Sequence, residues 1–332
     1  MTKASKNLLV LSASGLYCPK ADVYLDPWRP VQRALITHAH SDHARPGSSH
    51  YLTHRISVPL LHHRLGTSAP QVQGVEYGEE FSINGVRFSF HPAGHVPGSA
   101  QILVESEGER WVFSGDYKLE ADGVSTPFEP VRCHTFISEC TFGLPIFRWE
   151  PQREVLSQLH AWWSENLAAG YSSIVTAYAL GKAQRLLAHI DSSIGRVVVH
   201  SAVWKVCEQL GLSLDGFEQW SAETPRTLPA LVIAPPAVLS TPWLERFAPH
   251  RIAAVSGWMA IRGMKRRRGV DKGLVLSDHA DCNGLLSAIR ATGASRVLLT
   301  HGYTAQFARF LQESHATLQV HELGAEFERE GE

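Results

Sequence analysis

THAHSDHA, residues 37–44, follows directly on the apolar stretch VQRALI (31–36), so its polar side chains fall on a loop at a strand end. Within six positions it carries His38, His40, Asp42 and His43. Imidazole nitrogen and carboxylate oxygen are donors that suit zinc or manganese. Residues two apart in an extended stretch point the same way. The spacing therefore lets His38 and His40 share one metal while Asp42 and His43 turn to another.

The rest of the composition is compatible with such a site. The chain has 332 residues, 31 Lys+Arg against 32 Asp+Glu, and 44% hydrophobic residues, enough for one large or two ordinary domains. Nine Trp, 13 Phe and 8 Tyr beside 19% charged residues exclude a disordered chain. No apolar run approaches the roughly 20 residues of a bilayer span, and no cleaved signal is expected, so neither a membrane partner nor export is anticipated. The five cysteines, Cys18, Cys133, Cys140, Cys207 and Cys282, never form a CxxC pair. That disfavours a disulfide framework and a thiolate zinc site, and it suits a reducing cytoplasm. A formal charge of −1 excludes a bulk polycation, so a nucleic-acid partner must be held by a local patch. The 18 histidines are the outlying count. The adjacent pair His62 and His63 does not qualify as a site, because neighbours on a helix point about 100° apart.

Working outward, residues 1–149 read as short strands and turns: VRFSFHPA (86–93), QILVES (101–106) and RWVFSGD (110–116) are rich in β-branched and aromatic residues. Near residue 150 the texture changes. PQREVLSQLHAWWSENLAAG predicts a helix burying Val155, Leu159, Trp162 and Leu167, with Pro151 before it and Gly170 after. Strand and helix patterns then alternate to about residue 266, which predicts a parallel sheet with crossover helices. Residues 267–332 read as a last βαβα segment.

The strand-end HxHxDH loop, with Asp26 in VYLDPW, His95 in AGHVPGS and Asp116 in FSGDYK behind it in order, resembles the metallo-β-lactamase fold. Glu139 in FISECTFG, His279 in LSDHAD and His301 in LLTHG resemble the three further motifs of its β-CASP nucleases, as do YALGKAQRLL and VSGWMA. The resemblance implies an α/β architecture: an αββα sandwich formed by 1–149 and 267–332, interrupted by a β-CASP domain at 150–266 with a parallel sheet flanked by helices. GLYCPKADVYLDPWRPV, GLPIFRW and GWMAIRGMKRRRGVDKGLVLSDHAD narrow the likeness to bacterial ligase-associated DNA exonucleases, a group often labelled as messenger-RNA 3′-processing factors. A histidine at 301 is similar instead to the RNA-processing members.

The resemblance also implies roles. His38, His40 and His95 would hold one divalent ion, Asp42, His43 and His301 a second, and Asp116 would bridge them. Zinc and manganese are both compatible with these donors, and two such ions about 3.5–4 Å apart activate water at neutral pH. Asp26 would orient the ligand loop. Glu139 would hold the tautomer of His279, the general-acid candidate. Its alternative reading is a helix-capping segment, SDHADCNG. Lys265, Arg266, Arg267 and Arg268, with Arg262, form the one dense basic run and are expected to track a phosphate backbone, together with Lys182 and Arg185. The leading expectation is a two-metal DNA exonuclease acting on single-stranded ends in repair, with a DNA ligase and other repair proteins among its partners. An RNA-processing nuclease and a small-molecule hydrolase of thioesterase or lactonase type are the alternatives.

Overall fold

A computed structural model describes residues 7–66, 71–221, 229–314 and 317–323. The described residues divide into two units. One comprises 1–121, 125–145 and 279–332; the other comprises 122–124 and 146–278.

The first unit opens with β1 (Val10–Ser12), β2 (Gly15–Cys18), β3 (Val23–Leu25), β4 (Arg33–Ile36), β5 (His50–His54), α1 (Val58–Leu65) and β6 (Gln71–Val75). These six strands form one mixed sheet in sequence order. Next come β7 (Glu80–Ile83), β8 (Val86–Pro92), β9 (Ala100–Ser106), β10 (Glu109–Phe113) and β11 (Thr135–Cys140).

The second unit starts with α2 (Gln152–Ala168), then β12 (Ser172–Thr176), α3 (Lys182–Leu187), β13 (Val197–Val199), α4 (Ser201–Gln209), β14 (Glu218–Gln219), β15 (Leu231–Ala234), β16 (His250–Val255), α5 (Met264–Arg267) and β17 (Lys272–Leu274). Its six strands are all parallel, in the order β14-β13-β15-β12-β16-β17. Leu231 and Ile233 face a core with Val155, Leu159, Trp162, Trp163 and Leu186. The alternate residues Val232 and Ala234 face Val238, Leu244 and Phe247. That period-2 split is why this strand reads as a continuous apolar run. In α2 Trp163 is buried, while Leu167, expected on the core face, is half-buried.

The chain then returns to the first unit through α6 (Cys282–Thr292), β18 (Arg296–Gly302), α7 (Thr304–Ser314) and β19 (Gln319–Glu322). Its second sheet is mixed, in the order β19-β18-β11-β10-β9-β8-β7. Trp111 and Phe113 turn toward Leu16, Leu25 and Leu35 of the first sheet. Val112 turns the other way, toward Leu285 and Ile289 of α6 and Phe307 of α7. A sandwich with helices outside it is the expected architecture, and it leaves the strand-end loops free to carry chemistry. No helix among the described residues is long and apolar enough to cross a membrane. All five cysteines are free and buried.

Candidate metal centre

Two adjacent parallel strands, β3 and β4, deliver the loop. Asp26, immediately after β3, takes the left-handed conformation (φ 42°), a cost on the order of 1 kcal/mol that its carboxylate offsets. Thr37 donates its backbone N–H to Oδ1 at 2.8 Å and its hydroxyl to Oδ2 at 2.5 Å. With its proton so used, Thr37 Oγ1 accepts from His38 Nδ1 at 3.0 Å, which leaves a lone pair on His38 Nε2. His43 Nδ1 likewise lies 2.6 Å from Asp26 Oδ2. Gly115 allows this packing: a Cβ there would meet Thr37 Cβ at 2.7 Å. Asp26 thus sets two rings and touches none of the converging donor atoms.

Those donors meet at Asp116. His38 Nε2 and His95 Nε2 stand 3.0 and 3.1 Å from His40 Nδ1, and 3.6 and 3.7 Å from Asp116 Oδ2. Four ligands about 2.0–2.1 Å from a tetrahedral zinc ion stand about 3.3 Å from one another. The four separations straddle that value. A second group joins His43, His301 and the same Asp116. The His43 and His301 rings are stacked at 5.2 Å, and Asp42 Oδ2 lies 3.2 Å from His43 Nε2. A third group contains Asp116, Glu139 and His279.

Electrostatics argue that this convergence is built for cations. Asp42 Oδ1 and Asp116 Oδ1 are buried without a hydrogen-bond partner, an arrangement that is costly unless something positive shares it. Burial, then the neighbouring His43, His95 and His40, hold the His38 imidazole well below its ordinary range. Burial also lowers His301. Burial alone would raise the Asp116 carboxyl, but the charges of His43, His279 and His38 outweigh it and hold it well below the usual range. His43 is the exception. Burial works against its charged form, yet Asp42, Asp116 and Asp26 together push it well above the ordinary value. A metal ion in that position would take the place of the proton. The His/Asp cluster is consistent with a binuclear metal site, and the residues present fit it.

Beside the cluster, both Glu139 oxygens lie 3.0 and 2.9 Å from His279 Nδ1. Tyr117 donates its backbone N–H to Glu139 Oε1 at 2.8 Å and accepts from the backbone N–H of Ala280 at 2.7 Å. Glu139 is fully buried, whereas the His279 side chain is 23% exposed. Phe142 meets that ring edge-on at 5.9 Å, and His95 packs against it at 4.6 Å. The helix cap belongs to another residue: Asp281 accepts from Gly284 N at 2.7 Å to begin α6.

The basic residues separate into two kinds. Arg262, Lys265, Arg266 and Arg267 are exposed around α5 and Arg268 is half-buried. Lys182 and Arg185, expected to contact a phosphate backbone, are instead only 5% and 1% exposed. Arg185 donates to Ser277 O at 2.6 Å and to Gln152 Oε1, with Asp278 Oδ1 at 3.7 Å. Lys182 Nζ lies 3.9 Å from Asp278 Oδ2 and 4.8 Å from the Tyr178 ring centroid. The reading of Lys182 and Arg185 as contacts to a phosphate backbone is therefore corrected. A helix start carrying two cations looks basic in sequence, but Ser277 and Asp278 draw these inside. Sequence reasoning also missed Thr37 and Tyr117. Thr37 alone carried a signal, as the hydroxyl adjoining the first loop histidine.

Comparison with known proteins extends this picture. The family model of the "Metallo-beta-lactamase superfamily" matches residues 20–179. A "Probable DNA ligase" of Opitutus terrae is 30% identical over 311 residues, covering 90% of this chain. "Endoribonuclease YSH1" of Candida albicans is 32% identical over 128 residues, covering 37% of the chain. The chain spans only 30% of the first relative's length and 14% of the second's. A crystal structure of an Enterococcus faecalis protein of unknown function superposes with a TM-score of 0.58 at 12% identity, covering 90% of this chain and 80% of that one, a likeness of fold alone. With its two mixed sheets, its third all-parallel sheet and its strand-end His/Asp cluster, the chain belongs to the metallo-β-lactamase superfamily.

Proposed function

We propose that the chain is a two-metal phosphodiesterase: a DNA exonuclease that trims single-stranded ends in repair. The observation that carries this reading is Asp116, shared by the His38/His40/His95 group, the His43/His301 group and the Glu139/His279 pair. In it His38, His40 and His95 would hold one ion and Asp42, His43 and His301 the other, with Asp116 available to both. When bound, two divalent ions, zinc or manganese, supply a hydroxide nucleophile at neutral pH and neutralise the charge developing on the phosphate.

The chain's own groups do the remaining work. Asp26 and Thr37 keep His38 and His43 in the tautomers that offer Nε2. Glu139 accepts the Nδ1 proton of His279, so the doubly protonated ring would present its Nε2–H, on the side away from that pair, to the leaving oxygen or the scissile phosphate. The exposed residues Arg262 and Lys265 to Arg267, with the half-buried Arg268 beside them, attract the strand without regard to base. A stretch of the "Probable DNA ligase" resembling nearly the whole chain supports a repair setting with a ligase as partner. His301 and the likeness to an endoribonuclease favour a second reading, an RNA-processing nuclease.

A time course on end-labelled single-stranded DNA and RNA, with zinc and manganese in parallel, tests the proposal. The expected result is progressive shortening of DNA from one end, dependent on added metal. Cleavage of RNA alone selects the second reading. Cleavage of neither, by protein carrying two metal ions per chain, refutes both.

A further inference from the structure

The loop that carries the cluster is gripped from both flanks by arginines. Arg64, in the last turn of α1, donates Nε to Ala39 O at 2.9 Å, between His38 and His40. Arg45, two residues beyond His43, turns Nε toward Asp42 O at 3.4 Å. Each guanidinium has five N–H donors in a planar fork. Among the described residues, neither arginine has a partner for its two Nη groups: the only hydrogen bonds of these side chains are the two to the loop. Arg64 is exposed and Arg45 half-buried. Holding Nε in place preorganises the fork, so little further rotamer freedom is lost when an anion arrives.

We propose that Arg45 and Arg64 are a phosphate grip: two fixed guanidiniums on the metal-binding loop that take phosphate groups of a strand flanking the one being cut. The inference rests on the phosphodiesterase reading. It replaces Arg185, which is spent inside the protein, with cations whose Nη groups carry no hydrogen bond among the described residues. Arginine suits the task because its fork matches phosphate oxygens two at a time. The resulting contact is indifferent to base, as an enzyme trimming arbitrary ends requires.

The test uses the full chain loaded with metal, the variants Arg45→Gln, Arg64→Gln and their double, and the Lys replacements at both positions. Binding of a labelled single-stranded DNA and of the matching RNA is followed against salt, alongside binding of inorganic phosphate and the metal content of each variant. For the Gln double, affinity should fall about tenfold at low salt, and the slope of log K against log salt should flatten by about 1.4, or about 0.7 for each single-strand phosphate that is no longer neutralised. Metal content should stay at the wild-type value. The Lys variants should keep the wild-type slope while binding less tightly. Unchanged affinity and slope would overturn the grip. Loss of metal from Gln and Lys variants alike would overturn it too, showing that the arginines merely brace the loop. Wild-type protein that binds phosphate but neither strand, with phosphate binding abolished in the Gln double, would leave the anion grip standing and remove the nuclease reading. Wild type that binds none of the three would remove both.

Discussion

Buried polar groups are plentiful in the strand-end loop and in the second unit, but they are balanced differently. Around Asp278, buried charges of opposite sign face one another: Arg185 reaches Ser277 O and Gln152, and Lys182 and Arg185 approach the Asp278 carboxylate from different oxygens. Around Asp116, donors converge on each other and some remain unanswered. The first pattern is what a fold needs for its own cohesion. The second is expensive for an empty protein and makes sense as a receptacle for cations. Burial alone therefore does not mark a functional site; buried imidazoles converging on one shared carboxylate do.

The sharpest way to break this comparison is at its centre. Asp116→Ala removes the one group common to all three sets, and metal content should fall from two ions per chain with loss of hydrolysis; retention of both ions would dissolve the distinction. His279→Ala should lower hydrolysis by about 10²- to 10⁴-fold while both ions stay bound, because His279 is paired with Glu139 and lies outside both proposed ligand sets. Metal analysis beside the rate separates the two outcomes.

Arg185→Ala addresses the opposite pattern. Leaving Asp278 with a weaker counter-charge should destabilise the second unit by about 3–5 kcal/mol in denaturant melts. The salt dependence of DNA binding by the folded fraction should stay at the wild-type slope; a flatter slope would return Arg185 to the surface. The smallest effect is expected on the exposed run. Changing Arg266, Arg267 and Arg268 to Gln should leave stability within about 0.5 kcal/mol. It should also flatten the salt slope for a single strand by about 2, since each neutralised phosphate is worth about 0.7.

The contrast also explains what was legible from residues alone. The loop histidines lie within six positions of one another on a strand end, so their convergence is a local fact that spacing expresses. The parallel sheet of the second unit was legible because apolar strands and amphipathic helices alternate. What spacing does not express is which way a cation turns. Lys182 and Arg185 are indistinguishable in sequence from a basic helix start, and only the approach of Ser277 and Asp278, over 90 residues away, makes them interior. Trp163 and Leu167 show the same limit on a smaller scale: helical periodicity chose a face, and packing moved it by a fraction of a turn. Arg45 and Arg64 had no pattern to betray them, since their role depends on two loop carbonyls.

The backbone of Tyr117 has a consequence for how this site can change. Its N–H holds Glu139 and its carbonyl holds Ala280, while its neighbour is Asp116. One residue therefore gauges the spacing between the shared carboxylate and the imidazole at 279. Because the gauge is made of main chain, replacing the Tyr117 side chain leaves both bonds available; among the common amino acids only proline deletes the N–H. Side-chain substitution at 117 therefore leaves the main-chain interval between Asp116 and His279 as it is.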